Sequence, residues 1–155
     1  MKKFTILVFV FSLYIVHCTL YISPVFAQTD PIGESQINPA SPFYFLKGVK
    51  EVLELKFAGT SRIKGYRQLE FATRRIREVK SLAKTSHEDL IEPTLARYLS
   101  HLQELSNIAD FSDKTMSVQI SESAALHMNT LQTVYDQISN PRARMSVRAA
   151  VNRLF

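Results

Sequence analysis

The spacing of apolar residues divides the chain into an apolar leader, a polar stretch and a series of helix-forming segments. Two lysines precede an apolar run over residues 4–16, and small or apolar residues then lead up to Ala27. This order is typical of a secretory signal peptide, so the leader (residues 1–27) is predicted to be removed after Ala27. A retained membrane anchor is the alternative, because the apolar segment 4–22 has nearly the length that crosses a bilayer.

The rest of the chain has the periodicity of α-helices. Residues 28–40 are polar, rich in proline and without periodicity, which predicts a flexible linker. Residues 41–155 are predicted to form one helical domain, since no stretch alternates with a period of two. The predicted fold class is therefore all-α, with four to five helices in a bundle or in elongated helical hairpins.

Local signals set the helix boundaries. Ser41-Pro42 and Asn140-Pro141 each combine a capping side chain with proline in the first turn. Pro93 predicts a kink or a late start in the third helix. The predicted helices cover, in order, residues 42–58, 61–84, 86–109, 114–139 and 142–155.

Apolar seams indicate which helix faces are buried. The first helix is apolar around most of its surface, which predicts contact with more than one neighbour. In the last helix, Met145, Ala149 and Val151 are expected near one face. The three middle helices carry residues at alternating steps of three and four, the spacing of one face turned towards a partner helix. Their seams are Leu69, Ala72, Ile76, Val79 and Ala83, then Ile91, Leu95, Tyr98, Leu102, Leu105 and Ala109, then Ile120, Ala124, His127, Leu131, Val134 and Ile138.

The cysteine content and the distribution of charge limit how the protein can be stabilised and what it can bind. Cleavage after Ala27 would remove Cys18, the single cysteine, so stability would come from packing rather than from disulfides. Residues 62–84 carry a balance of +6 and residues 85–139 a balance of −6. Segments of opposite charge that are neighbours in sequence are expected to lie side by side in space, although a basic face for an anionic surface is the alternative.

No catalytic motif is present, and the chain is predicted not to be an enzyme and to need no cofactor. No serine lies in a nucleophile elbow, and no glycine-rich loop is present to hold phosphate. His101 and Glu104 lie three apart but lack the partners of a di-metal bundle. His127, on an apolar seam, is interpreted as a hydrogen-bonded core histidine, and a metal or haem ligand beside Met128 is the alternative.

The stretch from Asn38 to Lys47 resembles the opening of a family of exported bacterial and archaeal proteins, catalogued only as a domain of unknown function. The typical opening of that family is Pro-x-Ser-Pro-Leu-Tyr-x-Leu-Lys. The Arg-rich middle at 70–79, the His-x-x-x-Leu pattern at 127–131 and the proline-started helix at 141–150 are similar to later parts of it. The resemblance implies an all-helical fold and no particular activity.

These observations predict a secreted or cell-surface helical protein that acts by binding another macromolecule, either a protein or another envelope component. No nucleic-acid partner is expected, and the sequence leaves the oligomeric state open. Two alternatives are a metal- or haem-binding bundle centred on His127 and weak membrane-surface contact through the basic last helix. That contact would use Arg142, Arg144, Arg148 and Arg153 with the end Leu154-Phe155. The candidate partner-binding residues are Phe43, Tyr44 and Phe45 of the first helix and the ridge Arg74, Arg75 and Arg77.

Overall fold

A computed structural model describes residues 32–109 and 113–154, and the predicted signal peptide lies outside these residues. Within the described residues the chain forms five packed α-helices and no strand, which confirms the all-α fold class. No helix among them is long and apolar enough to span a membrane. In chain order the helices are α1 (Tyr44–Lys56), α2 (Ser61–Lys84), α3 (Ile91–Ile108), α4 (Lys114–Gln137) and α5 (Pro141–Asn152).

Helix α2 is the centre of the fold. Helices α3 and α4 pack along it, and α5 closes the bundle against both of them. The predicted seams of α2 and α3 supply much of the core, because steps of three and four keep their residues on one side of the helix. The largest fully buried apolar side chains include Ile32, Phe71, Ile76, Leu82, Ile91, Leu95, Tyr98, Met116 and Leu131.

Side-chain caps begin three of the helices. Thr60 accepts a hydrogen bond from the Ile63 amide at 3.2 Å, so α2 begins at Ser61 as predicted. Asp113 and Asn140 cap α4 and α5 in the same way. Helix α1 begins at Tyr44 rather than at residue 42, since the preceding residues form turns closed by i to i+3 backbone bonds.

Helix α3 begins late, which confirms one of the two outcomes expected from Pro93. A 3₁₀ turn over Glu88–Leu90 precedes it. Pro93 is the third residue of the α-helix that follows, where an amide has no partner within the helix and its loss is tolerated.

Of the three residues predicted near one face of α5, Val151 packs against the core, whereas Met145 and Ala149 do not. Ala143, Val147 and Ala150 face the core, while Met145 is 65% exposed and Ala149 is also exposed. Small side chains at steps of four and three let the α5 backbone approach α3 and α4. Burying them also leaves the arginines of α5 in solvent, as Arg142, Arg144 and Arg148 are all exposed.

The described part of the predicted linker is packed against α2 rather than loose. Ile32 is buried in the core, and its carbonyl accepts a hydrogen bond from Arg77 Nε at 2.6 Å. The Ser81 hydroxyl accepts from the Ser35 amide at 3.0 Å and donates to the Ser35 carbonyl at 3.1 Å. In the segment predicted as a linker, the backbone groups of Ile32 and Ser35 are therefore hydrogen-bonded to side chains of α2.

Glu88 ties the beginning of α3 to the beginning of α5. Its carboxylate accepts hydrogen bonds from the amides of Ser139 at 3.0 Å and Asn140 at 2.6 Å. These backbone donors lower the pKa of the Glu88 carboxyl from its ordinary value of 4.5. An acid with a lowered pKa adds stability above the pKa of the unfolded chain and loses it as the pH falls through the folded value.

We predict that Glu88→Gln lowers the melting temperature at pH 7, because the neutral amide oxygen is a weaker acceptor than the carboxylate for the two backbone donors. The difference from wild type should shrink below pH 4.5, where the wild-type carboxylate also takes up a proton. Thermal unfolding followed by circular dichroism measures both effects. The control is Glu122→Gln, at an exposed acid of α4. Equal shifts in the two variants would contradict the role of Glu88.

Candidate interaction surface on the first helix

Helix α1 lies on the bundle with its apolar face turned outwards. Phe57 is 79% exposed and Val49 is 55% exposed, and residues at helical spacing between Phe43 and Phe57 form one continuous stripe. Among the described helices, α1 packs along α2 and reaches α3 through a contact of Tyr44 with Arg97. We call this stripe the outer face of α1: Phe43, Phe45, Leu46, Val49, Val52, Leu53 and Phe57.

The opposite side of α1 is polar and contacts α2 through charges. Glu78 of α2 is fully buried, and Tyr44 and Lys47 of α1 both reach its carboxylate. The Tyr44 hydroxyl donates to Oε2 at 3.0 Å, and Lys47 Nζ lies 2.5 Å from Oε1. Arg75 Nη1 donates to the same carboxylate at 2.9 Å. A carboxylate removed from water is thus matched by two cations and a hydroxyl, as burial of a charge requires.

Two arginines of α2 extend this contact to the acids of α1. Arg75 also donates through Nη2 to the carboxylate of Glu51. Arg74 lies 3.1 Å from Glu54 Oε2 and donates to Glu70 Oε1 at 2.6 Å. We call the whole group the ionic cluster: Tyr44, Lys47, Glu51, Glu54, Arg74, Arg75 and Glu78.

Tyr44 is held as a neutral phenol in this cluster. Its hydroxyl accepts hydrogen bonds from Arg75 and, at 2.9 Å, from Arg97 of α3. Burial, together with the nearby charge of Glu78, raises the pKa of Tyr44 to about 12. Burial also raises the pKa of Glu51, against the opposing charges of Arg75 and Arg74. Side chains paired in this way stabilise the contact of α1 with α2.

The structure separates the candidate partner-binding residues into two groups. Phe43 and Phe45 lie on the outer face of α1. The ionic cluster beneath it contains Tyr44, Arg74 and Arg75. Arg77 donates a hydrogen bond to the Ile32 carbonyl. The predicted arginine ridge therefore contacts this chain itself.

Sequence reasoning missed five exposed apolar residues of α1 because the helix is apolar nearly all round. The polar residues carry the signal that could have found them. One face of α1 is marked by polar residues at steps of four and three, namely Lys47, Glu51 and Glu54. Helix α2 carries side chains of the opposite charges. The exposed residues that were missed are Leu46, Val49, Val52, Leu53 and Phe57.

As expected, the basic helix α2 lies side by side with α3 and α4 of the acidic segment. Among the described residues, Arg62 of α2 pairs with Asp113 at 2.8 Å, across the two segments. Further ion pairs of α2 within the described residues join it to α1, to Glu34 and to its own glutamates. Charge balance along the chain did not reveal this, because α1 has nearly equal numbers of both signs.

His127 is fully buried between α2 and α3. The single hydroxyl proton of Thr73 goes to the Leu69 carbonyl at 3.0 Å, so Thr73 accepts from His127 Nε2 at 2.9 Å. Nδ1 then accepts from the Tyr98 hydroxyl at 3.3 Å. Burial, helped by the charge of Arg77, lowers the pKa of His127 to about 4. Both ring nitrogens are occupied, so binding a metal or haem would first require breaking a hydrogen bond.

The two other histidines of the described residues are His87 and His101. His101 lies 2.8 Å from Gln68 Oε1 and has its ring edge against Phe71. Glu104 is exposed, as is His87 at the beginning of the 3₁₀ turn. Within the part of the chain that the structure describes, no group of three or more histidine, cysteine or acidic side chains is placed to hold a metal ion.

The fold and the site define an all-α domain in which ion pairs hold α1 against α2 and the apolar face of α1 is exposed. Residues 36–141 match the model of one protein family, described as Domain of unknown function (DUF5667). The chain belongs to this family, which confirms the resemblance found in the sequence. The match ends at Pro141, the first residue of α5, so the rest of the last helix lies outside it. Comparison with curated proteins and with solved structures gives no significant match.

We predict that Glu78→Gln lowers the free energy of unfolding by about 3 kcal/mol, because it leaves Arg75 and Lys47 without their shared buried counter-charge. Urea denaturation followed by circular dichroism measures the loss. The control is Arg67→Gln, which breaks the half-exposed pair with Glu70 and should cost less than about 1 kcal/mol. Similar losses in the two variants would show that burial does not strengthen the cluster.

We also predict an acid-sensitive contribution from His127. An unfolded histidine takes up a proton near pH 6.5, while folded His127 does so only near pH 4, so stability falls as the pH drops between these values. The loss amounts to about 3 kcal/mol. Urea denaturation at pH 7 and pH 4 should therefore show a steeper fall for wild type than for His127→Gln, which does not titrate. Parallel pH profiles would contradict this account.

Proposed function

We propose that this chain is an exported, non-catalytic binding module whose ligand contacts the outer face of α1. The observation that carries the proposal is the continuous apolar stripe from Phe43 to Phe57. Monomeric soluble proteins rarely expose large apolar patches, and those that exist commonly mark interaction sites. The leader sequence supports a location outside the cytoplasm.

The ionic cluster supports this role by holding the helix in place before a ligand arrives. Lys47, Glu51 and Tyr44 bind α1 to α2 through several directional contacts, so its apolar residues are presented in one fixed arrangement. A preordered surface binds more tightly because less conformational entropy is lost on association.

The two other functions expected from the sequence have weaker support. At His127, Thr73 and Tyr98 occupy the positions that a metal or haem iron would need. In the basic α5 the arginines are exposed, but Leu154 packs partly against the core instead of extending the apolar end outwards. The face of α1 therefore remains the best candidate for the binding site.

A photo-reactive benzoylphenylalanine placed at Val49 tests the proposal in the cells that produce the protein. The matched control is the same substitution at Val118 of α4, because these valines are 55% and 53% exposed. We predict discrete crosslinked products, with protein or lipid, from position 49 and none from position 118, as resolved by electrophoresis and mass spectrometry. No product at 49, or the same products at both positions, would overturn the proposal.

A further inference from the structure

The acids of α1 face inwards, while two of its three lysines are exposed. Glu51 and Glu54 are paired with Arg75 and Arg74. The Lys50 side chain is 68% exposed, although its Nζ lies 3.6 Å from Glu54, and Lys56 is exposed near the end of the helix. A ligand approaching the outer face therefore meets apolar groups flanked by positive charge.

A groove beside α1 repeats this combination of chemistry. It has a volume of about 480 Å³ and lies between α1, α2 and residues 34–37. Phe43 and Leu46 of the outer face line it, and Lys50 and Arg77 add cationic groups. Glu34 is the one acid among the described residues in its lining. Apolar and cationic groups that line one groove suit an amphiphile with an anionic head.

A ligand can cover the outer face of α1 from one side only, because α2 and the ionic cluster occupy its inner side. A bilayer surface covers a helix in this way without enclosing it.

We infer that the outer face of α1 and the cationic groove beside it bind the surface of an anionic phospholipid membrane. This inference rests on the proposed function and names its ligand. Phe45, Val49 and Val52 would enter the boundary between head groups and acyl chains, while Lys50 and Lys56 meet lipid phosphates. Interfacial helices that bind membranes combine aromatic and aliphatic residues with lysine in the same way. The remainder of the bundle stays outside the bilayer.

A fluorophore at position 49 of the full-length chain reports on this contact. The single natural cysteine is first replaced by Cys18→Ser, and bimane is attached after Val49→Cys or, as the matched control, after Val118→Cys. The vesicles contain brominated phosphatidylcholine, with or without phosphatidylglycerol. We expect strong quenching at 49 that requires phosphatidylglycerol, and none at 118. Because each label reports its own position, lipid contacts made by residues 1–27 do not mimic this pattern.

Charge variants test the lipid preference. Lys50→Gln should raise the phosphatidylglycerol concentration for half-maximal quenching at position 49 about fivefold, because one lysine near an anionic surface contributes that much to binding. Lys114→Gln, at an exposed lysine of α4, should leave it unchanged. Far-ultraviolet circular dichroism verifies that each labelled variant keeps its helical content.

Other occupants give different results. Equal quenching at 49 and 118, or quenching at 49 without phosphatidylglycerol, would overturn the inference. A blue shift at 49 that grows with protein concentration in vesicle-free buffer would overturn it in favour of a second copy. Absence of quenching combined with a protein crosslink from position 49 would overturn the membrane ligand and leave the proposed binding module in place.

Discussion

The burial of Glu78 beneath α1 is the constraint on which the exposed surface depends. Its carboxylate is removed from water, and leaving such a charge unpaired costs about 3–5 kcal/mol. Lys47 and Tyr44 supply two of its partners, and both lie on the polar side of α1. That side must therefore face α2. The apolar side consequently points into solvent, although each large apolar side chain left exposed forgoes about 1.5–3 kcal/mol of burial.

Helix α2 is buried on two sides by different means, and this explains how a strongly basic helix occupies the centre of the fold. Its apolar seam packs into the core through Ala72, Ile76 and Val79. Its other side buries Arg75 and Glu78 against α1. The core side of α2 also makes a polar contact, the hydrogen bond between Thr73 and His127 of α4. Directional hydrogen bonds of this kind favour one register of packed helices, because a shifted register would leave buried polar groups unpaired.

Helix boundaries and the core of α2, α3 and α4 could be predicted because caps and apolar spacing are local signals. The orientation of α1 and α5 could not be read in the same way. In α1, apolar residues occur on most sides, so periodicity does not select a face. In α5, hydropathy favours Met145, but close backbone approach selects Ala143 and Ala150. The partners of Glu78 and His127 come from distant parts of the chain, which local patterns do not specify.

The way in which α1 is attached affects what it offers to a ligand. An amphipathic helix in a soluble protein usually uses its apolar face to pack on its own core, and none of that face is then left for another molecule. Here Arg75, Glu51 and Glu78 attach the helix through charge. The apolar face remains available on a helix that is already formed. A ligand that covers it gains apolar burial without the entropic cost of ordering the helix, which a disordered segment would incur on binding.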